Sequence, residues 1–326
     1  MQKNTNNQLL PEGFKVLLPE EAHKEELVSR KILDILINND YSLVKTPLIE
    51  YEPISLSNKN SSLHNIDHQP FILVEPDTKK ILVIRPDITP QIAKLASTKL
   101  SHFKRPLKLM YSGEVLRNIK NLYQSDRQFK QIGAELIGTD YKKGLLEIIK
   151  LTNNIINNLK IKNTIIDFSV PTLMKYLEDI IDFNRTDGLI IKEAIKNKDA
   201  SLINKKKYNY IKQIIECTGE LQYAKKNFKK STFPVKIKKI LQKFFLTLDY
   251  LKKHNSKITI TVDISEGNNF LNYQNLGFKI YNKDDSNVIG IGGDYILDNN
   301  ELGIGITLIT KNICKAFKYK KKKRRL

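Results

Sequence analysis

The chain has 326 residues, 40% of them hydrophobic, and carries 55 Lys and Arg against 35 Asp and Glu, a formal charge of +20. That length supports one large domain or two moderate ones, and the lack of any run of 18 apolar residues or an apolar leader predicts a cytoplasmic protein rather than a membrane or secreted one. The charge invites a nucleic-acid partner, but lysine is spread over every segment, so specific nucleic-acid binding is not expected.

In chain order, Pro19-Glu20-Glu21 opens a helix whose buried stripe is Leu27, Ile32, Ile35 and Leu36. An extended piece over 42–49 carries Pro47, which places it at a sheet edge or an interface. Residues 57–70, rich in Asn, Ser and His, read as a loop. A strand is predicted over 81–85, followed by a helix with Thr89 as its cap and Pro90 at its first position. Strands over 106–112 and 127–137 form a hairpin with a polar connection at 118–126, and a helix over 141–159 leads to a strand over 164–170.

From 171 to about 255 the apolar residues recur at three and four, which predicts a helical insertion with its own small core. Strands resume over 258–263, 276–281, 288–292 and 302–308, joined by turns too short for parallel crossovers, so the fold class is α+β and not a doubly wound sheet. The expected organisation is a first part over 1–170, an insertion over 171–257, a second part of the same sheet over 258–312, and a solvated basic tail over 313–326.

Cys217 and Cys314 alone make neither a disulfide framework nor a zinc site, as befits a reducing compartment. His64 and His68 stand four apart without a third ligand, so no metal centre is expected. Gly290-Ile291-Gly292-Gly293 precedes no helix of a βαβ unit and no P-loop occurs, so no cofactor is predicted. The informative stretch is 127–135: at the two-residue period of a strand, Phe129, Gln131, Gly133 and Glu135 share one face. An amide oxygen and a carboxylate there suit an ammonium group. Arg117, at a strand end before the polar connection, suits a phosphate or carboxylate.

Three segments, Arg85-Pro86-Asp87-Ile88-Thr89-Pro90, Tyr111-Ser112-Gly113-Glu114-Val115-Leu116-Arg117 and the stretch from Arg127 to Glu135, stand in the order and spacing of the catalytic domain of histidyl-tRNA synthetases. The chain resembles that domain over most of 9–170 and more faintly over 258–310. The resemblance implies a class II aminoacyl-tRNA synthetase-like antiparallel sheet flanked by helices, with a helical insertion. It implies that Gln131 and Glu135 grip the α-amino group of histidine, with Asp87 and Thr89 in an Arg-Pro-Glu-x-Thr element where aspartate replaces glutamate. It puts Tyr273 near the imidazole, gives Arg117 and Arg127 contacts to phosphate or carboxylate, and makes Pro47 part of a dimer contact.

Departures from the pattern bear on function. Ile119 and Asn268 stand where the synthetases carry an acid and an arginine, Asp294 where arginine is common, and the segment 303–308 ends without the arginine of the third class II motif. Losing one such cation costs roughly 3 to 4 kcal/mol of transition-state stabilisation. Fold retained and cations lost is a combination similar to the family of ATP phosphoribosyltransferase regulatory subunits. The resemblance then implies a non-catalytic chain that partners the short-form catalytic subunit, dimerises within a hetero-oligomer and binds histidine for feedback inhibition. The alternatives are a divergent histidine-activating enzyme and an RNA-binding paralogue.

Overall fold

The computed structural model of the protein describes residues 10–51, 70–118, 126–255, 258–266, 273–284 and 286–318. Helix α1 (Pro19–Ile37) starts with Pro19 in the turn where its missing N–H is not needed, with Glu20 and Glu21 at the positive end of the dipole. It buries Val28, Ile32 and Leu36, while Leu27 and Ile35 are only partly covered. Strand β1 (Ser42–Leu43) follows, then β2 (Ile49–Tyr51), β3 (Phe71–Val74) and β4 (Ile81–Ile84), of which β3 was not predicted. β2, β4 and β3 form a small antiparallel sheet with β4 in the centre. Pro47 lies between β1 and β2, where its carbonyl accepts from Gln91 Nε2 at 2.9 Å. That position fits a proline that cannot serve a central strand.

Helix α2 (Thr89–Ser97) leads into the long hairpin of β5 (Leu107–Leu116) and β6 (Gln128–Ile137), then α3 (Tyr141–Asn158) and β7 (Thr164–Ser169). Asp140 caps α3 by accepting from Lys143 N at 3.0 Å. Helices α4 (Pro171–Ile180), α5 (Thr186–Asn197), α6 (Asn209–Glu216), α7 (Leu221–Lys230) and α8 (Val235–His254) fill the next segment, with the short strand β8 (Gly219–Glu220) among them. The chain continues through β9 (Ile260–Val262), β10 (Gly277–Asn282), β11 (Val288–Ile296) and β12 (Leu302–Ile309) to α9 (Thr310–Ala316).

The large sheet has the order β1-β5-β6-β12-β11-β10-β7-β9-β8. Its central pairs are antiparallel, as tight turns require, but β1 with β5 and β7 with β9 run parallel, so the sheet is mixed rather than wholly antiparallel. Alternation along β5 and β6 divides the molecule. Met110, Ile132, Ala134 and Leu136 face the core beneath α1, α3 and α9; Leu109, Tyr111, Phe129 and Ile137 face the side that α2 partly covers with Ile88 and Ile92.

Three expectations are corrected here. The helical segment from α4 to α8 does not have a separate small core: Leu173, Ile191, Ile214 and Leu248 join Phe168, Phe278 and Leu136 in one cluster, and β8 pairs with β9. Apolar faces at helical spacing do not reveal which neighbour covers them. The strand predicted over 288–292 runs on to Ile296 as β11, so Gly293 lies inside it with Gly290 and Gly292. Residues 313–316, assigned to the tail, belong to α9, which buries Ile313. No described helix is long and apolar enough to cross a membrane.

Candidate functional site

The site lies on the sheet face opposite α1 and α3, and strand register assembles it. Glu135 on β6 stands opposite Gly305 on β12 and Leu109 on β5. A Cβ at Gly305 would sit 1.8 Å from Glu135 Oε2, so only glycine lets the carboxyl lie across the neighbouring strand. In that position Oε2 accepts from the Tyr295 hydroxyl at 2.8 Å, and Oε1 accepts from Thr89 Oγ1 at 2.9 Å. Two residues earlier, Gly133 opens room for the Tyr111 ring, whose Cζ would be 2.1 Å from a Cβ there. The Tyr111 hydroxyl lies 2.7 Å from Thr307 Oγ1 and 3.0 Å from Thr89 Oγ1.

Glu135 is thus 1% exposed and hydrogen-bonded to hydroxyls, not to a cation, among the described residues. Burial pushes its carboxyl up to about 8, against the opposing pull of the Tyr295 and Thr89 hydrogen bonds. Burial favours its neutral form, and a cation placed beside it would favour the charged one.

Asp87 lies at the entry to α2. Its Oδ1 accepts from the backbone N–H of Ile88 at 2.8 Å and of Thr89 at 3.4 Å. The predicted cap is therefore corrected: Thr89 turns its hydroxyl inward to Glu135, and Asp87 meets the first amides of α2 instead. Gln131, 1% exposed, joins the two halves of the site: with its side-chain amide oriented to satisfy both neighbours, its nitrogen donates to Asp87 Oδ1 at 3.0 Å and its oxygen accepts from Arg117 Nη2 at 3.3 Å. Burial raises the Asp87 carboxyl and the Arg117 charge works against that rise.

Arg117 itself is held in place. Its Nε donates to the Pro86 carbonyl at 3.1 Å and its guanidinium lies 4.9 Å from the centre of the Phe129 ring. Arg127 is one layer out, stacked 4.4 Å from the Phe71 ring, with its Nε 3.4 Å from the Arg117 carbonyl. Arg85 acts as a strut: Nε donates to the Glu114 carbonyl at 2.8 Å and Nη1 to the Thr46 carbonyl at 2.9 Å, tying the Pro47 segment to β5.

Tyr273 approaches from the far side of β11, where a Cβ at Gly293 would meet its ring at 2.5 Å. Burial, together with the carboxyls of Asp87, Glu135 and Asp294, raises its hydroxyl pKa. Asp294, which stands where a cation was expected, holds this segment: its carboxylate accepts from Asn275 Nδ2 and Leu276 N, both at 2.7 Å, and from Asn275 N at 3.1 Å. Lys175 Nζ donates to the Tyr273 carbonyl at 3.0 Å.

The structure therefore brings Asp87, Thr89, Gln131 and Glu135 together, sets Tyr273 and Arg117 beside them, and leaves Arg127 outside the cluster. Sequence reasoning passed over Tyr295, Thr307 and the Tyr111 hydroxyl. Their link to Glu135 depends on pairing between β6, β12 and β11, which no local pattern reveals. His64, His68, Ile119 and Asn268 lie outside the described residues. The acidic group found among the described residues, Asp167, Asp263 and Glu266, is already engaged: Lys198 Nζ lies 2.6 Å from Asp263 and Lys279 pairs with Glu266. Chemically, the described residues of the site present carboxyl and amide oxygens, acceptors of the kind that suit an ammonium group.

The sequence profile of the family described as Histidyl-tRNA synthetase matches residues 13–313. A protein named ATP phosphoribosyltransferase regulatory subunit, from Paramagnetospirillum magneticum, is 26% identical over 329 residues, covering 100% of this chain and 86% of the relative. Among solved structures, one described as an ATP phosphoribosyltransferase regulatory subunit/histidyl-tRNA synthetase from Bacillus halodurans C aligns with a TM-score of 0.77 at 19% identity, covering 98% of this chain and 85% of that one. A chain of the ATP phosphoribosyl transferase (HisG:HisZ) complex from Thermotoga maritima aligns with a TM-score of 0.64 at 17% identity, covering 88% of this chain and 97% of that chain. At those identities the structural likeness concerns the fold.

Proposed function

The chain belongs to the histidyl-tRNA synthetase family, and from that membership we propose that it is a non-catalytic regulatory subunit of ATP phosphoribosyltransferase, acting in histidine biosynthesis. The observation that carries this reading is β12. The strand turns Gly303, Gly305 and Thr307 toward the site and has no cation anywhere in Leu302–Ile309. Aminoacyl-adenylate formation concentrates negative charge at the α-phosphate and needs cations placed around it. The name and near-complete coverage of the Paramagnetospirillum relative support the same conclusion. The partner on this reading is a short phosphoribosyltransferase catalytic chain. Co-expression and affinity capture test it: a stable complex is expected, and failure to capture that chain rejects the reading.

The ligand, on this proposal, is histidine. Its ammonium would sit against Glu135 and Gln131 with Asp87 and Thr89 behind them and Tyr273 toward the imidazole. An ammonium beside Glu135 favours the charged carboxylate, so the proton held there would leave to solvent as the ligand enters. The facing groups, Asp87, Tyr111, Tyr273 and Tyr295, are neutral or anionic, and Arg117 faces Asp87 and Gln131. Calorimetry at pH 7 in buffers of different ionisation heat reads this directly: release of about one proton per histidine is expected. Heat without proton release rejects the Glu135 role, and no heat rejects histidine binding.

Self-association fits the small sheet, where Ile72, Val74 and Ile81 share one face and are between 45% and 62% exposed. An apolar face of that kind favours a second copy. The reading also places the chain in the cytoplasm, where Cys217 and Cys314 stay as free thiols; cell fractionation that finds it elsewhere rejects this.

A further inference from the structure

Much of the chain's positive charge lies in one helical stretch. Helices α7 and α8 with their connection, residues 221–254, hold ten lysines and one acid, Asp249, for a net +9 of the chain's +20 in about a tenth of its length. Asp249 is already paired with Lys225 at 2.6 Å. The other nine lysines are exposed. Such density of one sign raises the local potential and attracts an anionic partner.

The face is not purely cationic. Val235, Lys239, Gln242 and Leu246 recur along α8 at i, i+4, i+7 and i+11, so they share one side of the helix. Val235 is 72% and Leu246 60% exposed. The surface continues onto α3 through a groove of ≈ 360 Å³ lined by Tyr141, Lys142, Lys239, Lys243 and Leu246. A second groove of ≈ 270 Å³ shares Tyr141, Lys239 and Lys243 and extends to Thr172 and Asn275.

We propose that this face of α8 and α3 docks an acidic, amphipathic segment of a protein partner. The proposal rests on the functional reading above, which makes the phosphoribosyltransferase chain that partner. Two exposed apolar side chains about 16 Å apart on a helix axis, with lysines between and beside them, match a polypeptide that alternates apolar and acidic residues. A sugar-phosphate backbone would leave Val235 and Leu246 unused.

The location links docking to the proposed ligand site. Lys243 Nζ donates to Asn275 Oδ1 at 3.3 Å, and Thr172 Oγ1 donates to the Gln274 carbonyl. Both contacts fall on the segment that Asp294 anchors and that carries Tyr273 into the site. A partner carboxylate that draws Lys243 away from Asn275 therefore acts on the same segment as a ligand at Tyr273. Two ligands that bias one element are coupled reciprocally.

The test measures affinity for the phosphoribosyltransferase chain with the full-length protein. The variant Lys236→Glu/Lys239→Glu/Lys243→Glu reverses three exposed charges and is expected to lose affinity on the order of a hundredfold. Leu246→Ser is expected to lose about tenfold through lost apolar contact. Lys192→Glu/Lys196→Glu on α5, equally exposed, serves as the control and should bind like the unaltered chain. Unchanged affinity of both the triple variant and Leu246→Ser overturns the docking surface while leaving the functional reading intact. If the unaltered chain does not bind the phosphoribosyltransferase chain at all, the functional reading fails and this assignment with it. A single-stranded RNA oligonucleotide that loses binding to the triple variant, while the protein partner still binds it, overturns the proposal in favour of a polynucleotide site.

Discussion

Glu135 is buried, hydroxyl-bonded and raised to about 8 from an ordinary value of 4.5, which gives its protonation a predictable effect on stability. The folded chain holds a proton there that the unfolded chain releases above about 4.5, so the contribution is fully present at low pH and is lost as pH rises towards about 8. Glu135→Gln removes that dependence, with an amide that can still accept from Thr89. The variant's melting temperature, compared with that of the unaltered chain, is expected to gain several degrees between pH 5 and pH 8, since a tenfold difference in proton affinity between the folded and unfolded chain is worth about 1.4 kcal/mol. A constant difference across that range contradicts a neutral Glu135. The same variant should bind histidine at least about tenfold more weakly, because a neutral amide cannot compensate the ammonium.

Gly305 offers a second single-residue test. Gly305→Ala places a methyl where Glu135 Oε2 lies, 1.8 Å away, so the carboxyl must leave its contact with Tyr295. Histidine binding is expected to fall sharply in calorimetry, with a stability loss of about 1 to 3 kcal/mol from the displaced buried group. Wild-type histidine affinity in this variant would show that the carboxyl takes no part.

Among elements, β11 connects the Tyr273 segment to the sheet. Asp294 accepts three N–H groups from Asn275 and Leu276, so Asp294→Asn sets an NH₂ against donors it cannot accept from. The expected cost is about 1 to 3 kcal/mol in denaturant unfolding, with weakened histidine binding through Tyr273. The small sheet makes a separate prediction. Ile72→Asp, at a site 60% exposed, should shift the chain toward monomer in sedimentation equilibrium without lowering its melting temperature. An unchanged assembly state would move the self-contact elsewhere.

Elements were legible from sequence where one local signal dominated. Pro19 with two acids located α1, and the alternation of Phe129, Gln131, Gly133 and Glu135 gave the site face of β6. Thr89 was misread because its hydroxyl can serve either a helix end or a buried partner, and only the position of Glu135 decides between them. The strand carrying these glycines was ended at Gly292, four residues short of the end of β11; Phe278 and Tyr273 fill the space beside Gly292 and Gly293. Tyr295 and Thr307 carry no signature at all until β12 is known to lie between β6 and β11.

At the scale of the whole molecule, the proposed reading is recognition without reaction. The sheet gathers buried carboxyl and amide acceptors on one face, and β12 brings no cation to them. The lysine face of α8 and the Tyr273 segment lie against each other through Lys243 and Asn275, so partner and ligand can act on one element. The synthetase alternative predicts histidine-dependent exchange of pyrophosphate into ATP; the purified chain is expected to show none above background.

The most direct test of the central claim is the phosphoribosyltransferase activity of a short catalytic chain, titrated with this protein. Activity that rises to a plateau as this protein is added, and that histidine then suppresses, is the predicted result. Activity indifferent to its addition at any ratio would contradict the account.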